Sequence, residues 1–366
     1  MANIHIALVG GQTTPVYQGI MYTNPDRVIL IHSTQTETEA SRINAEIKFD
    51  CELLKFNPVD LQQISDAVLK LKNSFSTNDH ITINVGGGTK PWSIIFYEYF
   101  RKEANAQLFY IDQNNLMWDL ISFEKMEVSF DMDVQFRLLG NPLTRFTSFS
   151  EYSPEDKQVC VRIRTLRNVN SWDFVNLTKQ LYDNPNLNYV SSSLGSFIQR
   201  YPADQSYHVE MKGRSGVKSL ILSAPHIDSL LLNTGWFEFE IAELLSGWSK
   251  AKDIRMNCVF PSKNNTHKNE IDIIVDTGTK LLFVECKTSI FDNTAIDKFA
   301  SAVKLYGGLG SKALFITDTP MKNKAIEKCH DHGIMHYSLQ NKPEDKSHKE
   351  FLFELLDKEL FNINAK

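Results

Sequence analysis

Two acids and a lysine stand on neighbouring apolar runs between Asp272 and Lys287. Ile271-Asp272-Ile273-Ile274-Val275 reads as one buried strand, and Leu281-Leu282-Phe283-Val284-Glu285-Cys286-Lys287 reads as the next. Thr277-Gly278 supplies turn chemistry between them. Side chains alternate along a strand, so Glu285 and Lys287 project together while Val284 and Cys286 point the other way. Charges on otherwise apolar strands are costly unless they pair or bind a metal. An acid, a hairpin and then acid-x-Lys suits phosphodiester hydrolysis: the acids hold a divalent cation and the lysine places or activates water beside the phosphate. Glu270 is read as facing away from Asp272 and capping its strand in solvent. The plainer alternative for the set is a salt-bridge cluster protecting an edge strand. The apolar flanks favour central strands instead.

Glu238 is the third acidic candidate, on a helix that begins at Gly235 and carries an apolar stripe of Phe237, Ile241, Leu244, Leu245 and Trp248. Glu238 borders that stripe, while Glu240 and Glu243 are expected to face away. It could simply complement the helix dipole from the first turn. As a third ligand it would complete the oxygen-rich cage a hard cation prefers.

A second group of residues suits anion binding. Gly86-Gly87-Gly88-Thr89-Lys90 is not a Walker loop, because the spacing differs and Pro91 follows the lysine. Exposed backbone N–H groups at a helix start, beside a lysine, still form an anion site. A tight glycine turn without a ligand is the structural alternative. Gln12-Thr13-Thr14 and His32-Ser33-Thr34 add hydroxyl and amide donors, and together these segments describe a pocket for phosphates or ribose. Tyr17, Tyr22 and Trp92 could stack on a base, although burial is the commoner fate of aromatics. Lys304 reads as solvated. His267, His330, His332 and His336 lack an acid or thiol at ligand spacing and read as ordinary surface residues.

The elements that must position these residues follow from periodicity. Apolar runs at 4–9, 27–32, 52–56, 81–85 and 107–111 alternate with helical spacing at 37–48, 59–72 and 91–103. Repeated β-then-α units indicate a doubly wound α/β sheet, which binds ligands at the carboxyl ends of its strands. Both Gly/Thr clusters fall at such ends. The texture changes near Leu139-Gly140-Asn141-Pro142; 153–188 looks helical, and a Ser-, Gly- and Tyr-rich stretch runs to about 233. After Gly235 the order is helix, strands at 254–260, 271–276 and 281–287, helix at 294–306, strand at 313–317 and helix at 321–331. The expected division is 1–145, a connector with helices and small strands over 146–230, and 231–366.

Composition sets limits. A chain of 366 residues is long for one domain, and 42% hydrophobic with 23% charged residues describes an ordinary globular protein. A net charge of −5 leaves any nucleic-acid contact to local patches. Five scattered cysteines without a C-x-x-C pair suggest a reducing compartment, and neither a signal peptide nor a membrane span is evident. A soluble, cytoplasmic protein with no membrane partner is expected.

The residues of the N-terminal half, Gly10 to Thr14, His32 to Thr34 and Asn84 to Lys90, resemble those of a CRISPR-associated Rossmann fold (CARF) domain. Those of the C-terminal half, Gly235 to Glu238, Asn269 to Asp272 and Val284 to Lys287, resemble a PD-(D/E)xK nuclease of the restriction-endonuclease-like superfamily. The combination is similar to the type III CRISPR ancillary nucleases that a cyclic oligoadenylate switches on in antiviral defence. The resemblance covers nearly the whole chain, least closely over 145–230. It implies a homodimer whose CARF half holds a cyclic oligoadenylate, cyclic tetra-adenylate by preference, at Gln12, Thr13, Thr14, Ser33 and Gly86, Gly87, Gly88, Thr89 and Lys90. It also implies Mn²⁺ or Mg²⁺ on Glu238, Asp272 and Glu285, with Lys287 completing the catalytic set. The substrates implied are single-stranded RNA and DNA, or duplex DNA that is nicked, with little sequence demand. Ile271 replaces the proline of the motif name. Two other readings stay open: a nucleotide-sensing regulator without nuclease activity, and a ring nuclease that degrades the messenger in the N-terminal pocket.

Overall fold

The apolar runs of the N-terminal third form parallel strands because both of their faces are covered. The computed structural model describes all residues except 113, 262–268, 290–292, 309, 342–344 and 364–366; His267 lies outside the described residues. β1 (Asn3–Leu8), α1 (Thr14–Thr23), β2 (Arg27–His32), α2 (Glu37–Glu46), β3 (Asp50–Lys55), α3 (Leu61–Lys72), β4 (His80–Asn84), α4 (Lys90–Phe100) and β5 (Ala106–Ile111) alternate along the chain. The strands lie in the order β3-β2-β1-β4-β5, and antiparallel β6 (Leu116–Asp119) and β7 (Lys125–Glu127) extend the edge. Ile4, Ile6 and Leu8 pack with Trp92 and Phe96 on one face, while Ala7 and Val9 meet Val16 and Ile43 on the other. The α/β expectation holds. Periodicity missed α1, whose start is set by Pro15 rather than by an apolar stripe.

α5 (Met132–Leu138) then joins the two halves, and β8 (Arg145–Ser148) follows it. Next come α6 (Pro154–Val169), α7 (Ser171–Asp183), β9 (Tyr189–Ser191), β10 (Phe197–Tyr201), β11 (Ser206–Gly213), β12 (Gly216–Ser223) and α8 (Ile227–Leu232). These four strands form an antiparallel meander, β12-β11-β10-β9. Its inward residues Val190, Ile198, Tyr207 and Leu222 share one core with Trp236, Phe237 and Ile241 of the next helix, so the segment is built into the C-terminal half.

That half continues with α9 (Gly235–Ser246), β13 (Asp253–Phe260), β14 (Asn269–Asp276), β15 (Leu281–Lys287), α10 (Thr294–Tyr306), β16 (Lys312–Thr317), α11 (Asn323–Asp331), β17 (Met335–Ser338) and α12 (His348–Phe361). The sheet order is β17-β16-β15-β14-β13-β8. β14 and β15 are therefore interior strands, and the edge-strand alternative for their charges falls. β8, from before the meander, returns to form the edge.

The two halves meet through α5. Val134 and Leu138 pack into the N-terminal core, whereas Met132 and Phe136 enter the C-terminal one, where Phe136 meets Phe260 edge-on at 5.0 Å. Arg255 clasps Asp133 through two nitrogens at 2.5 and 2.9 Å, and Gln135 Nε2 donates to the buried Gly307 carbonyl at 2.9 Å. Among the described residues, no helix is long and apolar enough to cross a membrane.

Candidate active site and sensor pocket

The acids sit where two strands break their regular alternation. Met256 and Ile273 belong to one face of the sheet, but Cys258 and Ile271, each two residues away, belong to the other. Both strands exchange faces across the Asn257–Asp272 step, where Asn257 takes a left-handed φ of 52° and the paired register is interrupted. A non-glycine residue there marks a special geometry. Freed from the ladder, the Asp272 carboxylate accepts the Cys286 N–H at 2.7 Å, pinning β14 to β15 beyond their last regular pair.

Lys287 closes the group. Its Nζ lies 2.6 Å from Glu285 Oε1 and 3.5 Å from Asp272 Oδ2. Glu238, buried in the first turn of α9, completes a set of three acids around one ammonium. Burial and then the Asp272 charge push the Glu238 carboxyl well above the carboxylate range, with Lys287 opposing. Burial and the same Asp272 charge raise Glu285 to about 7. Burial pulls Lys287 down, but Asp272 and Glu285 outweigh it and hold the ammonium protonated. Too much negative charge for its burial is what a cation-binding site looks like before it is filled.

The donor chemistry fits a hard divalent cation: Glu238, Asp272 and Glu285 offer three carboxylates. Among the described residues, no three His, Cys, Asp or Glu side chains already stand as a closed cage for one ion. Lys287 currently bridges two of the acids, so a cation would have to displace that ion pair.

Several neighbours escaped the sequence reading. Glu270 is exposed, as expected, and its charge helps raise both Glu238 and Glu285. Tyr152, four residues beyond β8, is raised to about 12 by burial and the Glu238 charge, and the Asn257 side chain hydrogen-bonds its hydroxyl. Glu240 does not point free into solvent but pairs with Arg164 at 2.6 Å. Of the histidines, His332 does have an acid partner, Asp297 at 3.0 Å, and His330 and His336 meet at 3.2 Å. Lys304 is exposed.

The second candidate site lies at the carboxyl ends of β1, β2 and β4. The sheet order reverses between β1 and β4, the switch point where such folds open a crevice. Gln12, Thr13 and Thr14 follow β1, Ser33 follows β2, and Gly86 to Lys90 follow β4, so every predicted sensor residue converges on one edge. The glycines have a structural reason. A Cβ on Gly87 would fall 1.9 Å from the Leu8 carbonyl oxygen, one on Gly10 would fall 2.8 Å from the Gly88 nitrogen, and Gly88 has φ +70°. The two loops cross backbone against backbone, leaving room only for hydrogen.

Around that crossing the polar groups are unevenly satisfied. Ser33 Oγ accepts the Gln35 N–H at 3.2 Å, and Thr89 Oγ1 caps α4 through Trp92 N at 3.5 Å. Thr13 is buried at the N-cap of α1, yet its hydroxyl makes no hydrogen bond. Lys90 is exposed at the first position of α4. Trp92 is core, donating its indole N–H to the Asn57 carbonyl at 2.7 Å, whereas Tyr22 is exposed.

A switch-point α/β sheet joined through a helix to a mixed sheet bearing acids and a lysine defines a two-domain α/β protein with one site in each half. Residues 4–137 match the family described as the Card1 CARF domain, and residues 227–353 match the Card1-like endonuclease domain. The chain thus carries a CARF domain of the Card1 family followed by an endonuclease domain of the Card1-like family. No curated protein matches it. Among solved structures it is similar to protein VC1899 from Vibrio cholerae, at 16% identity and a TM-score of 0.75 over 98% of each chain. It is also similar to Can2 from Sulfobacillus thermosulfidooxidans in complex with cyclic tetra-adenylate, at 17% identity and a TM-score of 0.70 over 99% of this chain and all of the other, 100%. A type III CRISPR defence DNA nuclease activated by cyclic oligoadenylate gives 16% identity and a TM-score of 0.61, covering 98% of this chain and 52% of that one. At these identities the likeness establishes the fold.

Proposed function

We propose that this protein is a cyclic oligoadenylate-activated, metal-dependent endonuclease of type III CRISPR defence. The observation that carries the reading is the Glu238, Asp272, Glu285 and Lys287 group at a deliberate break in two interior strands of an endonuclease domain. Glu238, Asp272 and Glu285 would hold Mn²⁺ or Mg²⁺, which when bound neutralises charge on the scissile phosphate and makes a bound water more acidic. Lys287, kept protonated by its two acids, orients the attacking water and donates to a phosphate oxygen. Glu270 and Tyr152 shape the field around the acids. Substrates in this reading are single-stranded RNA and DNA, with nicking of duplex DNA, and the protein works as a homodimer in the cytoplasm.

The activator is taken by the CARF half. Cyclic tetra-adenylate fits the crossing loops: N–H groups of Gly87 to Thr89 and the Lys90 ammonium meet phosphates beside Gly86, while Gln12, Thr13, Thr14 and Ser33 supply amide and hydroxyl contacts. Can2, a structural neighbour over the full length, was solved with that ligand. Activation is a population shift carried through α5, a helix rooted in both cores. Incubating the protein with labelled single strands, Mn²⁺ and cyclic tri-, tetra- or hexa-adenylate tests the reading; cleavage that ignores every messenger would remove the sensor half of it.

A further inference from the structure

A cavity of about 270 Å³ opens between α7 and the loop leading into α9. One wall is Thr288, the residue after Lys287; another is Trp236, two residues before Glu238. The cavity therefore lies against the strand and the helix that carry the acids. Arg167 lines its inner end. That guanidinium is fixed by Asp318 at 2.7 Å and lies over the Trp236 ring at 5.4 Å, while its Nε–H is left without a partner. Asp318 in turn donates its backbone N–H to the Lys287 carbonyl at 3.2 Å, so the arginine is tied to the catalytic strand itself. Lys179 and Tyr182 of α7 line the mouth, and both are exposed.

A second observation points the same way. Trp172, Val175, Lys179 and Tyr182 follow one another at intervals of three, four and three residues, a single stripe along α7. Trp172 is 73% exposed and Tyr182 53%, although α7 buries Phe174, Leu177 and Leu181 on its other side. Aromatic faces alternating with a lysine, leading to a fixed arginine, form the stacking-plus-cation track that single-stranded nucleic acid uses. Asp183, at the helix end, also lines the mouth; it would repel a phosphate but accept from a base edge.

We propose that this cavity and the α7 stripe are the substrate-strand subsite: one unstacked nucleotide enters the cavity, its base against Tyr182 and its phosphate facing Arg167 and Lys179, and the neighbouring phosphodiester lies at the acids. The inference rests on the nuclease reading above and names the element that binds the strand it cuts. It explains why the stripe is left uncovered by the fold.

The experiment uses the full chain with Mn²⁺ and cyclic tetra-adenylate, and a short fluorescein-labelled single strand of DNA or of RNA. Tyr182→Ala, Lys179→Ala and the pair together are compared with wild type for cleavage, and again in a Glu285→Gln background for binding by anisotropy. The paired variant should raise KM and Kd roughly tenfold or more, with kcat within about twofold, as loss of one stacked base and one phosphate contact requires. Messenger affinity and molecular mass should be unchanged. Unaltered KM and Kd in the paired variant, beside a wild type that cuts, overturn the subsite and leave the nuclease reading standing. A change of mass in the paired variant assigns the stripe to a second copy of the chain and overturns it too. A wild type that neither binds nor cuts either strand overturns both.

Discussion

The Lys287 ammonium lies 2.6 Å from the Glu285 carboxylate, one side-chain period away on the same strand. Neither charge would be tolerated so far inside a sheet alone. Together they cancel, and Asp272 leaves the pair with a net negative charge that Glu238 and Glu270 deepen. Asp272 still partners Lys287 when Glu285 is removed, and a Glu285 left without Lys287 can take up a proton, so either loss should stop chemistry rather than unfold the domain. Glu285→Ala or Lys287→Ala should abolish cleavage while cyclic tetra-adenylate still binds as in wild type. Near wild-type cleavage by both variants would remove these residues from the mechanism.

In the sensor pocket, Thr13 offers a clean separation of binding from folding. Its buried hydroxyl has no partner in the protein, so Thr13→Val should leave stability unchanged or slightly improved, since a buried unpaired polar group carries a cost. Messenger affinity should fall if that hydroxyl contacts the ring. Lys90→Ala should weaken the same affinity by about 1–3 kcal/mol, the scale of a lost charge-assisted contact. Isothermal titration giving wild-type affinity for both variants would place the ligand elsewhere on the sheet.

His5 sets a pH dependence for the N-terminal half. It is fully buried in β1 between the Thr82 and Thr23 hydroxyls, at 3.1 and 2.8 Å, and burial lowers its pKa to about 3. The unfolded chain takes up this proton below pH ~6.5 and the native chain does not, so the unfolded state binds more protons and stability falls as pH falls toward 3. By pH 5 the loss from this one group approaches roughly 2 kcal/mol. Denaturant unfolding at pH 7.5 and pH 5 should show a smaller drop for His5→Gln than for wild type. Equal drops would mean that His5 is protonated in the native state.

How much of this was readable beforehand differs by element. The parallel strands stand out as near-continuous apolar runs because both faces are buried, and the acids and lysine stand out against that background. Period-2 reasoning fails at Asp272, because two strands change faces together at Asn257, and no local residue type announces that step. Tyr152 and Arg167 come from elements more than a hundred residues earlier or later than the strands they meet, so only the tertiary fold places them beside the acids. α5 is not among the helices that periodicity predicts; its importance lies in having two apolar faces, Val134 with Leu138 and Met132 with Phe136, that enter different cores.

That helix makes the coupling testable. Gln135 spans the two halves through its bond to the Gly307 carbonyl. Gln135→Leu keeps the volume but removes the donor, and it should lower the messenger's stimulation of cleavage while leaving messenger affinity in the absence of substrate close to wild type. Full stimulation in this variant would route the coupling through other contacts, with Arg255 and Asp133 the next to examine.

The central claim is that messenger bound at one site controls strand scission at the other, and linkage gives it a direct measurement. A messenger that favours the cleavage-competent arrangement must itself bind more tightly when the nuclease site is occupied, by the same factor. Cyclic tetra-adenylate affinity should be measured by titration with and without a saturating, non-cleavable single strand in the presence of Mn²⁺. The account predicts tighter binding with the strand present, by roughly 5–150-fold for an ordinary coupling energy. Equal affinities in the two titrations would contradict it.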